Sequence, residues 1–297
     1  MSRIPQITIS QGVYAANTAT LERVSDLSSQ LATGRRVERV SDDPLNGKRA
    51  IQYRIQEAQT ARYQSNIEKT KAFLETTDAT FSSLTEVMDD VKKIAVQGAN
   101  GTQDANSRSA LVQSVEAQLD RMIDLCNAKQ DDRYVFSGTA VTTKPFELSE
   151  DGSYVAYHGD LDTFSVEISP SGSARVNENG LALFKEQRDV FQVVLELRDA
   201  LKENDPEQIN TLLTDIDNVH RYVKETQGSL GGRLERVDLT NKQLQIIATT
   251  VRGLRSKAED ADLPQTIMDL QNAQTALKAG LEAGARIMQT TLLDYLR

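Results

Sequence analysis

The two histidines are the first places to look for catalytic or metal-binding chemistry in this chain. His158 and His220 fall in different predicted elements, and neither has a nearby cysteine or a His-Glu-x-x-His context. A zinc site needs about three or four nitrogen, sulfur or carboxylate ligands. The spacing therefore favours two solvent-facing histidines, with a mild pH-sensitive role open to His220, and it predicts no metal and no cofactor.

Other motifs resemble binding sites but lack the residues that would complete them. Asp160-Leu-Asp162 starts like a calcium loop without the mid-loop glycine and the closing glutamate, so we expect a solvated turn. The cluster Gly228-Ser-Leu-Gly-Gly232 has no Gly-Lys-Ser/Thr ending, which favours a helix break over a phosphate loop. The pair Asp89-Asp90 stands among lysines, as on a solvated helix face. The sequence predicts no catalytic residue and no enzyme.

The single cysteine excludes a disulfide within the chain. Cys126 continues an apolar helical stripe with Leu119, Met122 and Ile123. This pattern favours a small buried hydrophobic side chain over a reactive thiol.

Composition favours thin helical bundles over a thick globular core. Hydrophobic residues make up 39% of the 297 residues, aromatic residues 5%, and tryptophan is absent. Bundles need fewer apolar residues, because each helix buries only a stripe. The net charge of −9 argues against nucleic acid as a partner. No run reaches the roughly 20 apolar residues of a membrane span, and no cleavable apolar leader is visible, so we expect no membrane insertion.

Both ends of the chain carry heptad spacing, with positions that recur at steps of three and four residues. The N-terminal series is Val13, Asn17, Thr20, Val24, Leu27 and Leu31, and the C-terminal series is Ile267, Leu270, Gln274, Leu277, Leu281, Gly284 and Met288. A seam spaced in this way requires a partner helix. Its polar and small members favour contacts between stacked copies, against the alternative of a simple antiparallel pair within one monomer.

Helical spacing continues between the two ends and is interrupted once. Residues 1–12 hold Pro5 and Gly12 and are expected to be disordered until bound. Helices are predicted at about 13–33, 48–97 and 104–131, from about 186 with breaks at 204–206 and at the glycine cluster, and from 264 to near 297. Segment 133–185 holds many glycines and almost half of the aromatic residues, so we expect a small β-rich insertion there.

The first linker has recognisable end signals. Gly34 is expected to end the first helix. Asp42 or Asp43 is expected to cap the long helix, and Pro44 suits its first position.

This order predicts a mainly α protein, a nested, folded-back rod of long helices with one small β-rich outer domain. A terminal coiled-coil domain comprises 1–44 with 262–297. A helical bundle comprises 45–132 with 186–261. The β-rich outer domain comprises 133–185.

Several segments resemble flagellins. LSSQLATGRRVERVSDDPLNGKRAI, residues 27–51, resembles their N-terminal signature, and residues 262–296 resemble their terminal helix. Gly231-Gly232-Arg233-Leu-Glu resembles a degenerate form of a flagellin Gly-Ala-Arg segment. Within the superfamily, Arg133-Tyr-Val-Phe-Ser-Gly138, the Ser-Asp-Asp-Pro form and the ending Leu292-Leu-Asp-Tyr-Leu296 are most similar to the hook-associated protein 3 family.

The resemblance implies a structural subunit of the bacterial flagellum that forms the adaptor layer between hook and filament and allows flagellin to polymerise. Partners are then further copies, the neighbouring junction protein on the hook side, flagellin on the filament side, and a cytoplasmic export chaperone on the C-terminal helix. The location is extracellular, at the hook–filament junction, after export by the flagellar type III system without a cleaved signal peptide. The implied assembly interface is Val24, Leu27, Leu31, Leu270, Leu277, Leu281 and Met288, and the implied inter-domain linker residues are Arg35, Arg36, Asp42, Asp43 and Pro44.

Three alternatives remain open. A filament flagellin with a reduced outer domain fits the same patterns. An enzyme hosted in the insertion is disfavoured, because so short a segment leaves little room for a pocket of about 300 Å³ or more. A coiled-coil signalling module would need a sensory or catalytic domain, and the sequence offers none.

Overall fold

The computed structural model describes residues 3–100, 105–177, 179–186 and 189–295. It is mainly α-helical with small antiparallel hairpins, as predicted. The helices are α1 (Arg3–Thr33), α2 (Pro44–Ala99), α3 (Ala105–Cys126), α4 (Val190–Glu203), α5 (Pro206–Glu259) and α6 (Leu263–Tyr295). The strands are β1 (Lys129–Gln130), β2 (Arg133–Tyr134), β3 (Phe146–Leu148), β4 (Val155–Tyr157), β5 (Ser165–Ser169) and β6 (Gly172–Arg175), and a π-helix spans Ala182–Glu186.

The chain divides into two compact units. The first comprises residues 1–59 and 247–297, and the second comprises residues 60–246. The finer division into terminal, bundle and outer domains stays a prediction.

The core of the second unit is built from heptad seams. Buried positions on α2 recur at steps of three and four: Thr60, Tyr63, Ile67, Thr70, Leu74, Thr77, Phe81, Leu84, Met88, Val91 and Ala95. Buried positions on α5 recur at steps of three and four up to Val223 and then at steps of seven: Ile209, Leu212, Ile216, Val219, Val223, Leu230, Val237 and Leu244. Helices α3 and α4 pack against each other. Cys126 is buried, as predicted, and burial raises the pKa of its thiol.

The glycine cluster does not break a helix, so that prediction was wrong. Helix α5 runs through Gly228, Gly231 and Gly232 without interruption. Each helical glycine costs roughly 1 kcal/mol relative to alanine. The buried Leu230 continues the spacing of Val223 and Val237, and this shared burial outweighs the local cost.

The end of α3 also differs from the prediction. The helix stops at Cys126 rather than near Asp131, because β1 and β2 pair antiparallel in register Lys129 with Tyr134. Asp131 and Asp132 form the turn with φ of 49° and 61°. Aspartate tolerates this left-handed conformation, and two such residues in a row suit a two-residue hairpin turn.

Three two-stranded hairpins, β1–β2, β3–β4 and β5–β6, confirm the β-rich insertion. Its aromatic residues pack with those of the helices: Phe81, Phe136, Phe146, Phe184, Phe191 and Tyr157 make ring contacts with centroids 5.1 to 6.2 Å apart. The aromatics concentrate in this segment because hairpins this short need large side chains to bury enough apolar surface.

In the first unit, α1 packs against α6. Helix α1 begins at Arg3, so the disorder predicted for residues 1–12 was wrong for the described part of that segment. Pro5 does not prevent this, because it lies in the first turn, where a backbone N–H has no helical acceptor.

Candidate functional site

The contact between α1 and α6 follows the heptad spacing. On α1 the half-buried positions include Val13, Asn17, Thr20, Val24 and Leu27; on α6 the half-buried or buried positions include Thr266, Leu270, Ala273, Leu277, Gly280 and Gly284. The helices approach closely at the glycines: a Cβ added to Gly280 would clash with Asn17 Oδ1, and one on Gly284 would lie 3.3 Å from Val13 Cγ1. Small residues therefore let the two backbones come together at this end of the contact.

Six of the seven residues predicted to form an assembly interface divide by exposure into a half-buried group and an exposed group. Val24, Leu27, Leu270 and Leu277 are half-buried. Leu31 and Leu281 face solvent, with 36% and 57% of their surface exposed. The side chain of Met288 lies outside the described residues. Their role in assembly stays a prediction.

Many large apolar side chains of the first unit remain exposed. They are Tyr14, Leu21, Leu31, Val40, Leu45, Ile51, Ile55, Leu254, Leu263, Ile267, Met268 and Leu281. Ile267 and Leu281 belong to the predicted C-terminal seam, but the inward positions of α6 lie beside them in sequence, at Thr266 and Gly280. Clustered exposed apolar side chains mark protein–protein contact sites.

The segment after α1 forms a joint with the end of α5, which we call the linker joint (residues 34–43 and 258–262). Gly34 ends α1 as predicted, with φ +68° and its N–H donating to Gln30 O at 2.8 Å. The N–H groups of Arg36 and Val37 donate to Glu259 O at 2.7 and 3.2 Å. Ala261 N–H donates to Gly34 O at 3.0 Å, and Val37 is buried.

Asp42 and Asp43, the two residues predicted as alternative caps of α2, accept different hydrogen bonds. Asp43 caps α2, because its Oδ1 accepts from Asn46 N–H at 3.0 Å, and Pro44 is the first helical residue. Asp42 closes the preceding turn, where its Oδ2 accepts from the N–H groups of Arg39 and Glu38 at 2.8 and 3.2 Å. The backbone hydrogen bonds from Arg39 and Asn46 hold the pKa of Asp42 and of Asp43 below the usual range.

The centre of the linker joint is Glu259, which the sequence analysis missed. Its side chain is 2% exposed and contacts the guanidinium groups of Arg35, Arg54 and Arg255. The spacing of Arg255 and Glu259 on one helix is a local signal of an ion pair. Arg35 and Arg54 come from the opposite end of the chain, so no local pattern could have revealed them.

The histidines do not form a metal site within the described ranges, which contain no cluster of three or more His, Cys, Asp or Glu residues suited to a metal ion. His158 is half-exposed, as predicted. His220 is not solvent-facing, because its side chain is only 15% exposed, and its Nε2 lies 3.3 Å from Asp89 Oδ1. That contact lacks hydrogen-bond geometry.

Asp160 holds a turn. Its Oδ1 accepts from the N–H groups of Thr139 and Asp162 at 2.6 and 3.2 Å. The solvated turn predicted at Asp160-Leu-Asp162 is confirmed.

None of the helices in the described part of the chain is long and apolar enough to cross a membrane.

Family models match both ends of the chain. The bacterial flagellin N-terminal helical region matches residues 6–141, and the bacterial flagellin C-terminal helical region matches residues 213–296. The chain belongs to the flagellin family. The first matched region contains α2 and α3 and most of α1, the second contains α6 and most of α5, and strands β3 to β6 lie between the two regions.

Relatives in the flagellin family carry two kinds of name. Flagellar hook-associated protein 3 of Escherichia coli is 27% identical over 158 residues, which are 52% of this chain and 48% of that protein. The flagellar filament 30.7 kDa core protein of Treponema maltophilum is 21% identical over 258 residues, 85% of this chain and 84% of that protein. The chain thus spans about half the length of the hook-associated relative and most of the filament one.

Two solved structures share the fold of this chain. A putative flagellar hook-associated protein from Vibrio parahaemolyticus superposes with a TM-score of 0.67 at 20% identity, covering 74% of this chain and 100% of that one. The flagellar junction protein FlgL from Legionella pneumophila gives a TM-score of 0.62 at 15% identity, covering 71% of this chain and 100% of that one.

Proposed function

We propose that this chain is a structural subunit of the bacterial flagellum that forms the adaptor layer between hook and filament and presents a surface on which flagellin polymerises. The observation that carries the proposal is the set of exposed apolar side chains of the first unit, most of which lie on the helix pair α1 and α6. The names of the hook-associated relatives and of the solved structures with this fold support the junction position.

Assembly would use the side of the helix pair that the monomer leaves open. In the α1–α6 pair only one stripe of each helix is covered, while Leu31, Ile267 and Leu281 stay exposed. Fully burying an exposed leucine contributes about 1.5–3 kcal/mol, and these partly exposed side chains would each contribute a fraction of that. Repeated over many stacked copies, such contacts would hold a layer of subunits together, with a junction protein on the hook side and flagellin on the filament side.

The same surface explains why a chaperone would be needed before export. Ile267, Met268 and Leu281 on α6 would expose apolar surface to the cytoplasm, where it promotes aggregation. A cytoplasmic export chaperone that covers α6 until secretion through the flagellar type III system would prevent this. The protein would act outside the cell as a structural component, without catalytic activity.

A second candidate is a filament flagellin with a reduced outer domain. It is favoured by the Treponema filament core protein, whose match extends over 85% of this chain. The two candidates differ in position and copy number, because a filament protein would be present along the whole filament.

The assembly surface can be tested with Leu281→Asp, expressed in a strain that lacks the native protein. Leu281 is exposed, so the variant should fold and be secreted as the native chain is. A charge there would be buried between copies without a partner, which is costly. We expect normal secretion, loss of filaments by electron microscopy, and loss of swimming.

Asn272→Asp is the matched control. It adds the same charge to an exposed position on the opposite side of α6, nine residues away or about two and a half turns. It should swim normally. Normal swimming by Leu281→Asp would contradict the assembly surface, whereas equal loss in both variants would show that α6 tolerates no added charge.

A further inference from the structure

A carboxylate is buried inside the linker joint. Arg54 Nη2 donates a hydrogen bond to Glu259 Oε2. The Nε atoms of Arg255 and Arg35 lie 3.5 and 4.0 Å from Glu259 Oε1. A buried carboxylate is stable only where its charge is compensated, and here three guanidinium groups, each partly exposed, supply that compensation.

The backbone of Glu259 holds the same segment as its side chain. Its carbonyl oxygen accepts from both Arg36 and Val37, and the Arg36 guanidinium donates from Nη2 to Ala258 O at 3.2 Å. Arg35 and Asp260 form an antiparallel bridge. The linker is therefore attached to the end of α5 at several consecutive residues.

We propose that Glu259 is a clamp that fixes the linker, residues 34–43, to the end of α5 in the free monomer, before any partner is bound. Of the three arginines only Arg35 belongs to the linker, whereas Arg54 lies in α2 and Arg255 in α5. The Glu259 charge thus ties the linker to two helices at once. The proposal concerns the monomer and does not depend on the assembly role.

Removal of the charge should release the linker for an electrostatic reason. In Glu259→Gln the three guanidinium groups would surround a neutral side chain, and Glu57, which pairs with Arg255, would compensate only part of their mutual repulsion. Arg54 and Arg255 are held in long helices. Arg35 lies on the linker and is half-exposed, so it is the group free to move towards solvent.

Hydrogen exchange on the purified full-length monomer tests the clamp. In Glu259→Gln we expect the amides of Arg36 and Val37, which donate to the Glu259 backbone carbonyl, to exchange about tenfold faster or more, because the charged contact that holds the adjacent Arg35 at Glu259 is lost. Amides in the core of the second unit, such as Leu84 and Val219, should keep their native rates. Trypsin should also cut faster after Arg35, Arg36 and Arg39.

Glu57→Gln is the matched control. Glu57 also pairs with Arg255, at 2.9 Å from Nη1 to Oε2, and with Arg252, and both of these partners lie in α5 rather than in the linker. Its variant should show native exchange at Arg36 and Val37. Native rates in Glu259→Gln, or equal acceleration in Glu57→Gln, would overturn the clamp.

Arg35→Gln provides a second variant in case Glu259→Gln does not fold. It leaves the Glu259 carboxylate paired with Arg54 and Arg255. It removes only the ion pair between Glu259 and the linker residue Arg35. We expect it to accelerate the same two amides, and the double variant to exchange no faster than the faster single one, since both changes break one shared contact. Additive acceleration in the double variant would mean that the two residues act separately, and would also overturn the proposal.

Discussion

The two ionisable residues Glu259 and His220 show how burial acts at the scale of a residue. Glu259 is surrounded by three guanidinium groups that compensate its charge. His220 faces charges of both signs. Asp89 and Asp217 raise its pKa, whereas Lys224 and Lys92 lower it. Burial first, and then Lys224, lowers the pKa of His220 below its usual value. The fold therefore favours the neutral imidazole.

A pH dependence of stability follows from His220. Because its pKa is lower in the folded chain than in the unfolded chain, the unfolded chain binds more protons below about pH 6.5. The stability from neutral His220 is fully present above that pH and is lost as the pH falls. Thermal melting between about pH 7.5 and 5.5 should therefore show a smaller fall in Tm for His220→Gln than for the native chain.

His158→Gln is the control for this measurement. The His158 side chain is half-exposed in the β-rich insertion, so its variant should follow the native Tm profile. If the native chain, His220→Gln and His158→Gln all lose the same Tm on acidification, the account of His220 is wrong.

At the scale of an element, α5 shows why local signals and long-range packing can disagree. Gly228, Gly231 and Gly232 predict a break when only the neighbouring residues are considered. Val223, Leu230 and Val237 are all buried, and Gln227 Nε2 donates to Asp78 Oδ1 and Ser82 Oγ on α2, so tertiary packing keeps the helix continuous. The ends of the helices were more predictable, because Gly34, Asp43 and Pro44 act through their own backbone geometry.

Gly231→Ala should stabilise the protein. A Cβ at this position would meet no atom within 4 Å, and the backbone is helical, so alanine would only reduce the freedom of the unfolded chain. We expect a gain of about 0.5–1 kcal/mol in the free energy of unfolding, measured by urea denaturation.

Gly180→Ala is the same substitution at a crowded position of the same unit. Its Cβ would lie 2.5 Å from Phe136 O and 2.8 Å from Phe146 Cζ, so it should destabilise the protein. A loss of stability in Gly231→Ala as well would indicate that α5 is not a continuous helix at the glycine cluster.

At the scale of the whole molecule, periodicity and composition were enough to predict a mainly α chain with a small β-rich insertion. They also identified five half-buried positions of α1, from Val13 to Leu27. The inward side of α6 was harder to predict. The predicted seam includes the half-buried Leu270, Leu277 and Gly284, but at two places it selects the exposed Ile267 and Leu281 instead of the less exposed neighbours Thr266 and Gly280. The contacts of Glu259 in the linker joint could not be predicted, because Glu259 and its partners Arg35 and Arg54 come from opposite ends of the chain.

The central proposal is that copies of this chain form a thin layer between hook and filament. The exposed apolar surface of the first unit supports assembly, but it fits both a junction protein and a filament protein. The position of the protein in an intact flagellum separates the two.

Immunogold electron microscopy of intact flagella, with an antibody raised against residues 133–185, tests the claim most directly. The account predicts one narrow band of gold where the hook meets the filament, and no band in flagella from a strain that lacks the protein. Label along the whole filament would contradict the junction role and favour the filament flagellin, and flagella without label would contradict the flagellar proposal itself.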